Sequence, residues 1–189
     1  MKYKDIINPT ELLEFMDNNI TYGFVDDNNK IYSSKNYNEF QEGCRTKWKL
    51  SSPERLLDKK YGHCFDQVEL ERDWFSKNNY KFKTFFGIFE LDYENPYFTH
   101  TFLIYEDNNM FYTFEHADQN NRGIREYSSY ENAINSQIKN LIKSNREYNN
   151  LKDEELSSLH IYEYDKLEYG ISMYEFVDRI VNNKKNMVK

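Results

Sequence analysis

Cys64 stands behind Gly62 and His63 at the head of a stretch, Cys64 to about Asn78, whose apolar residues recur at helical spacing. A thiol at a helix N-terminus meets exposed N–H groups and the positive end of the helix dipole, and both favour the nucleophilic thiolate. Gly62 allows a sharp turn and a close backbone approach to a substrate. Asp66, in the first turn, suits the dipole but would oppose a thiolate if it lay near the sulfur. A Cys nucleophile also needs a base. His100 supplies a candidate within Tyr97-Phe98-Thr99-His100-Thr101-Phe102-Leu103-Ile104-Tyr105, the most strand-like run of the chain.

A third group must hold the imidazole. If Asn108-Asn109 forms a two-residue turn, Glu106 faces Phe111 and Phe102 faces Glu115; if the turn is Asp107-Asn108, His100 faces Glu115 directly. In either register His100 and Glu115 project from one sheet face, because side chains alternate with a period of two. A carboxylate between Phe111 and Ala117 needs a partner if buried, and an imidazole N–H is one. Asp118 is the fallback, three residues on.

The elements that must position these groups read as an α+β protein. Short helices open at Pro9 and at Pro53 to Lys59, and a hairpin spans Ile20 to Tyr32. On the long helix Cys64, Val68, Glu71 and Phe75 share an inward stripe beside Leu70 and Trp74, while Asp66, Glu69 and Asp73 fall on a solvated face. Strands follow at Tyr80 to Asp92, Tyr97 to Glu106 and Met110 to Ala117. Helices over Ser129 to Glu147 and Ser172 to Asn183 flank a last strand, Leu159 to Tyr164. Residues 1–189 carry no internal repeat or Pro/Gly/Ser linker and read as a single domain. Arg122-Gly123-Ile124-Arg125 forms a small basic turn, read as surface charge, with a substrate carboxylate as its alternative ligand.

Gly62-His63-Cys64-Phe65-Asp66-Gln67, with His100 and a carboxylate beyond a hairpin, resembles the transglutaminase-like branch of the papain-like cysteine enzymes over roughly Tyr61 to Asp118. Thr21-Tyr22-Gly23-Phe24-Val25-Asp26 is similar to a segment of small bacterial proteins of that group. The resemblance implies a papain-like core, with Cys heading a helix packed on an antiparallel sheet. It also implies a Cys64, His100, Glu115 triad working through a thioester on a peptide or small amide. Glu115 replaces the usual Asp, so the ring must sit slightly farther off. One oxyanion donor would be the Cys64 N–H, the second a side chain such as Gln67 or Trp48. The alternative is an inactive relative that binds protein or peptide.

Composition excludes some partners. A net charge of −7 works against a nucleic-acid backbone, and no apolar run approaches the ~20 residues of a membrane span. Cys44 and Cys64 alone make no disulfide scaffold, and a cytoplasmic setting is expected. His63, His100 and His116 lack the paired spacing of a zinc site, so neither metal nor cofactor is expected.

Overall fold

The computed structural model describes residues 2–90, 98–183 and 187–188. Asn8 caps helix α1 (Pro9–Asn19), its side chain accepting from the Glu11 N–H, with Pro at the first turn where no donor is lost. Strands β1 (Thr21–Val25) and β2 (Ile31–Ser33) pair antiparallel. Helices α2 (Tyr37–Thr46) and α3 (Pro53–Lys59) follow, capped by Asn36 and Ser52. The two-residue strand β3 (Tyr61–Gly62) then runs parallel to β1, pairing Gly62 with Tyr22. It completes a three-stranded sheet of order β2-β1-β3 and delivers the chain into helix α4 (Cys64–Lys77).

Strands β4 (Lys81–Phe89), β5 (Thr99–Asp107), β6 (Met110–Glu115), β7 (Gly123–Tyr127) and β8 (Leu159–Glu163) form an antiparallel sheet of order β7-β6-β5-β4-β8. Helix α5 (Tyr130–Tyr148) and the single turn α6 (Asp153–Leu156) lie between β7 and β8, and α7 (Met173–Val181) follows. The sheet is covered on both faces. Leu70, Trp74 and Phe75 of α4 pack with Leu103, Tyr105 and Phe114. On the other face Ala133, Ile134, Ile138 and Leu141 of α5 pack with Phe85, Phe102, Ile104 and Ile161.

The β5–β6 turn is Asn108-Asn109, both left-handed (φ 50° and 61°), with Asp107 opposite Met110, Glu106 opposite Phe111 and Leu103 opposite Phe114. Asn tolerates that conformation, and two such residues match the twist of a hairpin. Of the two turns open on sequence grounds, this is the one formed.

Several expectations change. The strand after α4 ends at Phe89, and its expected last residues Leu91 and Asp92, like Tyr97 at the start of the next, lie outside the described residues. Helix α2 was not foreseen. The Arg122 to Arg125 segment enters strand β7, and its charges tie the chain together: Arg122 bonds Asp17 at 2.7 Å and the His116 carbonyl at 2.9 Å. Asp66 and Glu69 are not solvated but 0 % and 1 % exposed, because the first two turns of α4 are covered on that side too, Asp66 by the Trp48 to Ser51 segment and Glu69 beneath its ion pair with Arg72.

Candidate active site

Packing around Gly62 sets the start of α4. A Cβ there would come within 2.6 Å of Leu56 Cδ1, so any side chain at this position would have to displace the buried Leu56 of α3. His63 is the extended residue before the helix, and its N–H donates to Asp66 Oδ2 at 2.9 Å. Asp66 also accepts the Ser51 N–H at 2.8 Å and the Trp48 indole N–H at 3.0 Å. Burial raises this carboxyl to about 6, with those donors pulling the other way. Its bonds fix the backbone from which Cys64 projects.

The thiol is 1 % exposed and lies against the His63 imidazole. Cys64 Sγ is 3.3 Å from His63 Nδ1, and His100 is near enough to act on its ionisation as well. Burial opposes ionisation. The His63 charge, the His100 and His63 hydrogen bonds and the His100 charge outweigh it, and hold the thiol well below the ordinary range. The Tyr22 hydroxyl lies near the same sulfur; burial and then the negative charge that Cys64 and Cys44 would carry raise that phenol well above its usual value. His63 is enclosed by Tyr22, Phe40, Trp48 and Phe65, with ring centroids 4.9 to 6.3 Å away. Cys44 lies near it as well, and both cysteines are free thiols.

His100 is the second residue of β5 and Glu115 the last of β6, so both stand at one end of the sheet. The hairpin register brings His100 Nε2 to 2.7 Å from Glu115 Oε2. Nδ1 is thereby the ring nitrogen left to meet the thiol. Burial disfavours the charged ring, but the Glu115 charge and the bonds to Cys64 and Glu115 carry His100 well above its ordinary value. Glu115 Oε1 accepts the Asp118 N–H at 2.8 Å. The carboxylate on the ring is therefore that of Glu115. Asp118 instead accepts the Asn120 N–H at 3.0 Å and Asn121 Nδ2 at 2.7 Å.

Gln67 and Trp48 do not reach the thiol as donors. Gln67 Nε2 donates to the Gly62 carbonyl at 2.8 Å, its Oε1 accepts from His116 Nδ1 at 2.6 Å, and the Trp48 N–H is taken by Asp66. Both shape the start of α4 instead. The neighbours that sequence reasoning missed are His63, as a partner of the thiol, and Tyr22, which only the pairing of β1 with β3 brings there. Glu71, on the inward stripe of α4, is 2 % exposed and its Oε2 has no hydrogen-bond partner. Burial and then the charge of Glu115 raise it well above the carboxylate range, so it stands as a neutral acid behind the His100–Glu115 pair.

A cleft of about 370 Å³ opens over this cluster, lined among others by Tyr22, Phe40, Cys44, His63, His100 and Leu141. Cys64 does not line it; Tyr22, His63 and His100 cover the sulfur. A hollow of about 450 Å³ at the other end of the sheet, between Tyr80 and the Asn108-Asn109 turn, contains neither Cys nor His. No family model and no curated protein matches the chain. No helix among the described residues is long and apolar enough to cross a membrane.

Proposed function

We propose that this chain is a thiol-dependent acyl-transfer enzyme with a transglutaminase-like, papain-like core, acting on a peptide or small amide. The observation that carries the reading is the His100 ring, held on Glu115 at 2.7 Å through Nε2 and near enough to the Cys64 thiol for each to shift the other's ionisation. Cys64 gives its proton to His100 Nδ1, and Glu115 stabilises the resulting imidazolium. The thiolate attacks the substrate carbonyl carbon and the C=O electron pair moves to oxygen. The Cys64 N–H, which has no acceptor within α4, and the Tyr22 hydroxyl receive that oxyanion. Collapse expels the amine, protonated by His100, and leaves a thioester; water or a second amine then adds and releases the acyl group. Tyr22 must yield the sulfur to the substrate for this to begin.

The burial of Cys64 favours a second reading, an inactive relative of this fold that binds peptide in the cleft. Alkylation separates the two. Iodoacetamide at about pH 6, with the modified peptide identified by mass, labels Cys64 if the thiolate is sustained by its imidazoles. The His100→Ala variant should lose part of that labelling, the His63 charge sustaining the rest. An inert Cys64, or labelling equal in wild type and His100→Ala, would sink the enzymatic reading.

A further inference from the structure

We propose that Arg45 is the anion-binding residue of this cleft, so that the ligand, and on the catalytic reading above the acyl substrate, carries a carboxylate. Arg55, Arg72, Arg122, Arg125, Arg146 and Arg179 each donate to an oxygen of the chain. Among the described residues Arg45 alone of the arginines has no hydrogen bond and no ion pair, and it is the arginine that lines the cleft with His100. Its Nε is sealed from solvent and has no acceptor. A guanidinium donor withdrawn from water without an acceptor is unfavourable, and an incoming carboxylate relieves it. Nε with the neighbouring Nη is a flat fork that matches the two oxygens of a carboxylate.

The surroundings favour the same ligand. Asp118 is the one carboxylate in the cleft lining, and its oxygens are occupied by the Asn120 N–H and the Asn121 amide. The remaining polar lining consists largely of neutral groups such as Gln41, Asn120 and Asn149; His63 and His100 are the other cationic groups there, and their charge is engaged by Cys64 and Glu115. Tyr37 and Tyr148, 53 % and 60 % exposed, stand in the same lining and offer flat apolar surface to the rest of the ligand. The net charge of −7 means that attraction is local to Arg45 and not steered by the whole surface. A short peptide or N-acyl amino acid with an acidic side chain or a free carboxyl end fits these features.

The test separates this inference from the catalytic one. Full-length Cys64→Ala protein is titrated with N-acetyl-glutamate amide and N-acetyl-glutamine amide, and binding is followed by amide chemical shifts. The acid should bind at least about tenfold tighter, the scale of a hydrogen bond to a charged group, and the Arg45→Gln variant should lose that preference. Arg45→Gln breaks no bond of the folded chain. Equal binding of the two ligands, or a preference that survives Arg45→Gln, overturns the proposal. In the protein with Cys64 intact, iodoacetate should alkylate Cys64 in preference to iodoacetamide, and Arg45→Gln should lower that ratio about tenfold. If Cys64 resists both reagents while the acid preference in binding stands, the anion site is supported and only the catalytic reading falls.

Discussion

Replacing Glu115 by Gln preserves the shape of the side chain and one acceptor for the Asp118 N–H, but removes the charge 2.7 Å from His100 Nε2. The His100 and Glu115 side chains are 12 % and 2 % exposed, so solvent screens the pair little. A hydrogen bond to a charged group is worth about 1.5 to 3 kcal/mol. At about 1.4 kcal/mol per pH unit, the imidazolium of His100 should then lose its proton about 1 to 2 pH units lower than in wild type. Part of that loss is offset. The Glu115 charge helps keep Glu71 neutral, so with Glu115 gone Glu71 ionises more readily and restores some negative charge near the ring. The Glu71→Gln/Glu115→Gln double variant removes this compensation and should show the larger displacement. The assay is the pH dependence of Cys64 alkylation together with the His100 ring-proton shift by NMR. A His100 titration that stays within about half a pH unit of wild type in the double variant would refute the assignment of Glu115 as the group that raises it.

Two further outcomes follow from the same site. Tyr22→Phe keeps the ring against Phe40 and His63 but removes the hydroxyl on the sulfur; amide turnover should fall about 100-fold while Cys64 alkylation is retained, and equal turnover would remove Tyr22 from the oxyanion role. Glu71→Gln concerns stability. Because the folded protein holds the Glu71 proton well above the ordinary range, the stability this group contributes is complete below about pH 4.3 and is lost as pH rises toward the folded value. A glutamine there should therefore gain stability over wild type increasingly with pH in urea unfolding, and a gain that is flat or shrinks as pH rises would show that Glu71 ionises freely.

Local rules carried much of the architecture. The stripe of Cys64, Val68 and Phe75 gave the buried side of α4, and alternation along Tyr97 to Glu106 put His100 and Glu115 on one face before any register was known. Asn pairs tolerate the left-handed conformation, so the hairpin turn was among the two sequence options. Legibility failed where a residue's environment comes from distant chain. The polar side of α4 looks solvated from its own periodicity, yet Trp48 and Ser51 bury Asp66 from outside the helix. Trp48 and Gln67 have free donors in the sequence and spent ones in the fold. Helix α2, with Gly43 in its interior and few apolar residues, gives a weak helical signal, although Asn36 with Glu39 three residues on is a cap that marks its start. Missing α2 also hid Cys44 and Arg45 from the site.

The exposed turn Asn108-Asn109 acts as a ruler for chemistry at the far end of its strands. A slip of the β5–β6 pairing by one residue would turn Glu115 to the opposite side of the sheet, stripping His100 of its anchor, and would take the buried Phe114 away from α4 with it. The part of the surface most open to length variation elsewhere in proteins is, in this chain, the one on which the His100–Glu115 pairing depends.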